Sequence, residues 1–113
     1  MNLEIDHYAD AVLVSVDDSR IDASVAIQFK DSMRALTSGG PKRVILNMEK
    51  VDFLDSSGLG AVVAAMKQLD ANQTLELAGL TENVAKVFRL TRLDAVFTIH
   101  QNASDAVAGL ADV

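Results

Sequence analysis

The sequence predicts a single α/β domain over residues 1–113: a mixed β-sheet begun by an N-terminal hairpin and extended by parallel crossovers, with about four helices packed mainly on one face. Three observations carry this prediction. Leu3, Ile5 and His7 alternate with Glu4 and Asp6, and a valine-rich run follows at residues 11–16, which is the pattern of two neighbouring antiparallel strands. From Asp22 onward, segments with helical spacing alternate with short apolar runs, as parallel crossovers require. Half of the 113 residues are hydrophobic, enough for one core but too short a chain for two.

The hairpin turns at Ala9-Asp10 without the favoured Asn-Gly pair. Asp17-Asp18-Ser19-Arg20-Ile21 leads to Asp22, an expected N-cap for a helix whose Ala26, Phe29, Met33 and Leu36 keep one face. Gly39-Gly40-Pro41 ends that helix, because glycine takes the left-handed C-cap and proline cannot continue the ladder. Residues 44–48 form a continuous apolar run suited to a buried strand, and a second helix is expected over about 56–70. Residues 74–78 make the next strand. Thr81 is the expected N-cap of a third helix with Val84, Val87 and Phe88 on one face, and Arg89 and Arg92 suit its C-terminal end. A short strand over 96–99 and a last helix, capped by Asn102 and running through Val107 and Leu110, complete the chain.

Several function classes are disfavoured. The formal charge of -6, with scattered lysines and arginines, argues against nucleic acid, which needs clustered positive charge. The absence of cysteine removes disulfides, thiolate metal sites and cysteine nucleophiles. The first residues lack the basic and apolar regions of a signal peptide, and no run approaches the ~18 apolar residues of a membrane span, so a cytoplasmic protein without membrane insertion is expected. For the same reason the sequon Asn102-Ala103-Ser104 has no opportunity for glycosylation. His7 and His100 lie in different strands with no ligand cluster, so both read as structural and no metal or cofactor is expected. Asp17-Asp18 and Asp52 with Asp55 are accounted for by a turn and a cap. Neither the glycine-lysine pattern of a phosphate loop nor the Gly-x-Ser-x-Gly elbow of a hydrolase occurs, and the chain does not read as an enzyme.

The chemistry-bearing stretch is Val51-Asp52-Phe53-Leu54-Asp55-Ser56-Ser57-Gly58-Leu59-Gly60, a strand-to-helix turn that sets two hydroxyls at a helix start. Unpaired N–H groups and the helix dipole would stabilise an anion there, which makes Ser57 or Ser56 a natural phosphoserine position. Asp-Ser-Ser-Gly also stands as an ordinary N-cap. From Gly58 to Met66 no side chain is polar; Leu59, Val62, Val63 and Met66 form the expected inner stripe and leave Gly58, Ala61, Ala64 and Ala65 over. Two glycines in the first turns cost roughly 1 kcal/mol each in helix propensity, which close approach by another backbone would explain. That backbone is either a partner's or a second layer of the same chain.

The element order and Phe53-Leu54-Asp55-Ser56-Ser57-Gly58-Leu59-Gly60 together resemble the STAS family, in particular the bacterial anti-sigma factor antagonists, over nearly the whole chain. Arg20-Ile21-Asp22-Ala23, Val44-Ile45-Leu46-Asn47 and Leu90-Thr91-Arg92-Leu93-Asp94 add to the match. The resemblance implies phosphorylation of Ser57, with Ser56 as the competing acceptor, by a partner that is both anti-sigma factor and serine kinase. It also implies reversal by a metal-dependent serine phosphatase. The partner surface is expected to comprise Asp22, Asp55, Ser56, Ser57, Gly58, Leu59, Gly60, Ala61 and Ala64, on a monomer or weak dimer. Ser19 stands where family members often have Gly, and Asn47 where they often have Asp, which removes one negative charge expected near the phosphosite. The rival expectations are a constitutive STAS adaptor, such as a small lipid-transporter subunit, and a small-ligand or nucleotide-binding module.

Overall fold

A computed structural model describes residues 1–111. Strands β1 (Leu3–Tyr8) and β2 (Ala11–Val16) form the N-terminal hairpin, turned at Asp10 with φ 64°. Then follow β3 (Arg20–Ile21), α1 (Ala26–Thr37), β4 (Arg43–Asn47), β5 (Phe53–Leu54), α2 (Ser56–Lys67), β6 (Thr74–Ala78), α3 (Glu82–Leu90), a 3₁₀ turn (Leu93–Ala95), β7 (Thr98–His100) and α4 (Ala103–Ala106). The main sheet has the order β1-β2-β4-β6-β7; only the hairpin is antiparallel, and β2, β4, β6 and β7 run parallel. The mixed sheet and its crossovers are as the sequence predicts.

The central strand explains the layering. In β4, Val44, Ile45 and Leu46 are all fully buried, because both faces of the strand are covered. Val44 and Leu46 face the larger core, where Phe29 and Met33 of α1, Val62 and Ala65 of α2, and Val84 and Phe88 of α3 pack over the sheet. Each such large apolar side chain contributes about 1.5–3 kcal/mol on burial. Ile45 faces the other side, where Ala11, Leu13 and Ala78 lie under Ala106 of α4. Three helices thus share one face, and the short α4 alone covers the other.

Several boundaries differ from expectation. Asp22 is not the N-cap of α1, which starts at Ala26 with Val25 in the cap position and no side-chain cap. Asp22 instead closes a turn over 22–25, its carbonyl accepting from Val25 N (3.1 Å) and its carboxylate from Ser24 N (3.0 Å). Thr81 occupies the cap position of α3, but its hydroxyl donates to the Val51 carbonyl (2.8 Å) and ties the helix start to the loop after β4. Residues 96–97 are not strand. Arg92 takes φ 60°, the 3₁₀ turn follows, and Phe97 is buried edge-on against Phe88, with ring centroids 5.8 Å apart at 78°. The second helix ends at Lys67, short of residue 70.

On the α4 face a polar row crosses the sheet. Arg43 donates twice to Glu76 (2.7 Å each) and also to the Ala106 carbonyl (3.0 Å), while His100 Nε2 lies 2.7 Å from Glu76 Oε1. Arg43 therefore ties α4 to the sheet through the Ala106 carbonyl, while Glu76, a residue 8% exposed, holds its guanidinium in place. The Arg43 guanidinium, aided by His100, holds the Glu76 carboxyl below its usual range against the opposing effect of burial. A lowered folded-state pKa gives stability that is present above the unfolded value of about 4.3 and lost as pH falls through the folded one. Arg43→Met is expected to cost about 2–3 kcal/mol at neutral pH in denaturant unfolding, and the deficit should shrink on acidification below about pH 4.

Candidate functional site

The second, two-stranded sheet builds the site. β3 pairs in parallel with β5, Arg20 opposite Phe53 and Ile21 opposite Leu54, so the loop after β3 and the start of α2 leave the sheet side by side. The Ser19 carbonyl fixes the entry by accepting from Asp52 N (2.8 Å) and Phe53 N (3.2 Å). Above this pair the Arg20 guanidinium lies 4.1 Å from the centroid of the exposed Phe53 ring and 3.3 Å from the Asp22 carboxylate. The Ser24 hydroxyl, and next Arg20, hold the Asp22 carboxyl below its usual range.

Asp55 joins the two halves. It is the N-cap of α2, with Oδ1 accepting from Gly58 N (2.8 Å), while its Oδ2 accepts from Ala23 N in the loop after β3 (3.2 Å). The N-cap reading of Asp-Ser-Ser-Gly is therefore correct for Asp55, and it leaves the serines free. Ser56 and Ser57 are exposed, and among the described residues neither hydroxyl has a side-chain or backbone partner. Gly58 is buried, and a Cβ there would overlap the Ile21 carbonyl oxygen and lie 2.7 Å from the carbonyl carbon. The close approach expected at this glycine is met by the chain's own β3.

The expected division of α2 into faces is corrected. Gly58, Ala61 and Ala65 are buried along with Val62, whereas Leu59, Val63 and Met66 are only half-buried. Gly58 is small because β3 lies against it, and Ala61 borders α1, which packs beside α2 and takes a thin partner there. Gly58 is thus a spacer beneath the site and offers no surface. Where the two helices diverge, Ala26, Ile27 and Lys30 of α1 and Ser57, Gly60, Ala61 and Ala64 of α2 line a shallow groove of about 200 Å³. Ile27 stands 72% exposed at its rim. Of the residues singled out in the sequence, the structure brings Ser57, Gly60, Ala61 and Ala64 into this groove and sets Asp22, Asp55 and Ser56 on the adjoining turn.

Ile27 and Lys30 were not singled out in the sequence, and Arg20 and Phe53 stood there only as members of a motif, with no role at the site. Ile27 does carry a signal, as an apolar residue lying off the stripe of Ala26, Phe29, Met33 and Leu36. Asn47 is buried at the end of β4, where its Oδ1 accepts from Glu49 N (3.2 Å) and its amide reaches Ser15 Oγ (3.4 Å). It shapes the turn after the strand. Ser19 acts through its carbonyl, which any residue supplies. His7 is exposed on β1, and His100 belongs to the Glu76 row.

The two helical glycines of α2 make opposite predictions. Gly58→Ala should destabilise by about 3 kcal/mol, because the added methyl meets rigid backbone. Gly60→Ala meets nothing within 4 Å and should stabilise by up to about 1 kcal/mol through helix propensity, as read by thermal or denaturant unfolding. Asp55→Ala removes both the cap and the loop tether and should cost about 1–2 kcal/mol.

Comparison with known proteins agrees with this architecture. Residues 2–106 match the family described as the STAS domain. The anti-sigma-B factor antagonist of Staphylococcus aureus (strain NCTC 8325) is 23% identical over 103 residues, spanning 89% of this chain and 95% of that protein. Among solved structures, an anti-sigma factor antagonist from Mycobacterium paratuberculosis superposes with a TM-score of 0.82 at 22% identity, covering 94% of this chain and 90% of that one. A sulfate transporter family protein from Wolinella succinogenes shares the fold with a TM-score of 0.73 at 18% identity, covering 88% and 83%. No helix among the described residues is long and apolar enough to cross a membrane. With the match running across almost all of the described residues, and with the sheet order and the serine turn in place, this chain belongs to the STAS domain family.

Proposed function

We propose that this chain is an anti-sigma factor antagonist that switches partners through phosphorylation of Ser57. The observation that carries the reading is the exposed, unpartnered Ser57 hydroxyl at the start of α2, on the border of the groove between α1 and α2. Asp55 takes the capping role, so the serine hydroxyl is left to react. In the unphosphorylated form the groove and the adjoining turn at Asp22 dock on an anti-sigma factor that is also a serine kinase, and this releases the sigma factor or another target. Ile27 supplies the apolar anchor and Lys30 a positive charge at the groove. The partner holds the nucleotide and does the chemistry; this chain is its substrate and ligand, without catalysis of its own.

A phosphate on Ser57 adds a charge of about -1.5 to -2 at the mouth of the groove and fills space that the partner must occupy. The helix N-terminus tolerates that charge in the free protein, and the docked surface does not. A serine phosphatase restores binding. The whole cycle takes place on one domain acting in the cytoplasm, as a monomer or weak dimer, and needs neither nucleic acid nor a bound cofactor.

The test combines intact-mass spectrometry with binding. Incubation with ATP and the serine kinase encoded nearest to it should add one phosphate, which fragmentation places on Ser57. Ser57→Ala should block modification and keep binding, Ser57→Asp should weaken binding at least about tenfold, and Ile27→Ala should weaken it by a similar factor without changing stability. Phosphate on Ser56 alone would overturn the site assignment. A stable complex indifferent to ATP and to Ser57→Asp would overturn the switch and favour the constitutive adaptor, to which an apolar groove is equally suited.

A further inference from the structure

We propose that a second cleft, at the β7 edge of the main sheet, binds a small zwitterion with apolar side chains, of the size of a hydrophobic dipeptide. It shares no lining residue with the Ser57 groove, and the proposal stands independently of the switch.

The cleft measures about 420 Å³, within the span of about 300–1,000 Å³ usual for small-molecule sites. It lies where the parallel strands β6 and β7 end, Ala78 paired with His100, which is the end of the strands at which open α/β sheets take ligands. Its floor is apolar: Leu80, Ile99 and the fully buried Phe88, whose ring is held edge-on by Phe97. The floor is therefore preformed.

Four polar side chains, those of Arg89, Asp94, His100 and Gln101, line the same cleft. His100 is oriented by its contact with the buried Glu76, which Arg43 holds through two bonds, so the imidazole is anchored from behind. Arg89 and Asp94 line the same cleft with opposite charges and do not pair with each other. Among the described residues Asp94 has no ion pair, and Arg89 has only Glu82 at 3.9 Å, a side chain 92% exposed. Two opposite charges that do not pair with each other, one with no ion pair and the other with only a long, exposed one, beside an apolar lining complement a ligand that carries an ammonium and a carboxylate with hydrocarbon between them. A fatty carboxylate would leave Asp94 against its chain or its anion, and a nucleotide would bring several negative charges to a cleft with one guanidinium. A single amino acid would leave much of the volume empty, whereas a dipeptide fills it.

The experiment is a ¹H–¹⁵N titration of the full chain with leucyl-phenylalanine, its N-acetyl derivative and its C-terminal amide, which share one apolar body. The free dipeptide should shift the amides of Leu80, Ala85, Arg89, Asp94 and residues 99–101 saturably, with residues 56–60 unmoved. Capping either end should weaken binding at least about tenfold, as should Arg89→Gln and Asp94→Asn, each a substitution of an exposed side chain whose folding the same spectra verify. Absence of saturable shifts up to about 10 mM, shifts centred elsewhere, or equal binding of the capped forms would overturn the proposal.

Discussion

Both carboxylate oxygens of Asp55 are taken by backbone amides from different parts of the chain, one inside α2 and one in the loop after β3. That pair of bonds, together with the contact of Gly58 on the Ile21 carbonyl, decides where the serines stand. A side chain at position 58 would push α2 off β3, and the groove between α1 and α2 would lose one wall. Because a capping carboxylate satisfies an amide that would otherwise be orphaned and still has a second oxygen to offer, the same side chain that starts the helix also fixes its distance from the loop. The site is thus a by-product of how one helix begins, with little left to side-chain flexibility.

The opposite face of the sheet obeys a different rule. There the covering element is only four residues long, too short to bury much apolar surface, and the Arg43, Glu76 and His100 row supplies what packing cannot. Arg43 bridges strand and helix by donating to Glu76 and to the Ala106 carbonyl, so an ionic contact does a structural job beside the small apolar cluster of Ala11, Leu13, Ile45 and Ala78. A buried carboxylate is tolerable only when its lone pairs are filled, and Glu76 meets that condition with three donors in reach.

Much of this architecture was legible in the sequence because it depends on periodicity. The alternation through residue 7, the apolar run at 44–46 and the stripe of Phe29 and Met33 each report how many faces of an element are covered, and the strand over 74–78 matches to the residue. What was hidden falls below the length at which a period exists. Strands β3 and β5 have two residues each and are held by pairing with one another, a long-range relation that local pattern cannot carry. Asp22 has the right composition for a cap, but an Asx turn uses the same carboxylate oxygen, and only the path of the chain decides between them. Val96 and Phe97 have strand propensity, yet burial of Phe97 against Phe88 outweighs it. On α2 the small residues were legible as a demand for close approach, while the side making the demand was not: Gly58 answers to Ile21, Ala61 borders α1, and Ala65 is buried.

The same geometry limits how any signal at Ser57 can act. The residues beneath it are fixed: Gly58 against backbone, Asp55 by two amides, Leu54 and Val62 in the core. A phosphate added above so rigid a base has no soft element to displace, and refolding of α2 would have to break contacts that support the core itself. The nearby carboxylates do not oppose the added charge at full strength, since Asp22 is compensated by Ser24 and Arg20 and Asp55 by the amides it accepts. The free protein can therefore carry the phosphate at little cost in stability. Under the proposed switch, the difference between the two states would then be expressed at the surface, as charge and shape at one end of the groove, where a partner docking on the bare serine and the exposed Ile27 would meet a dianion instead.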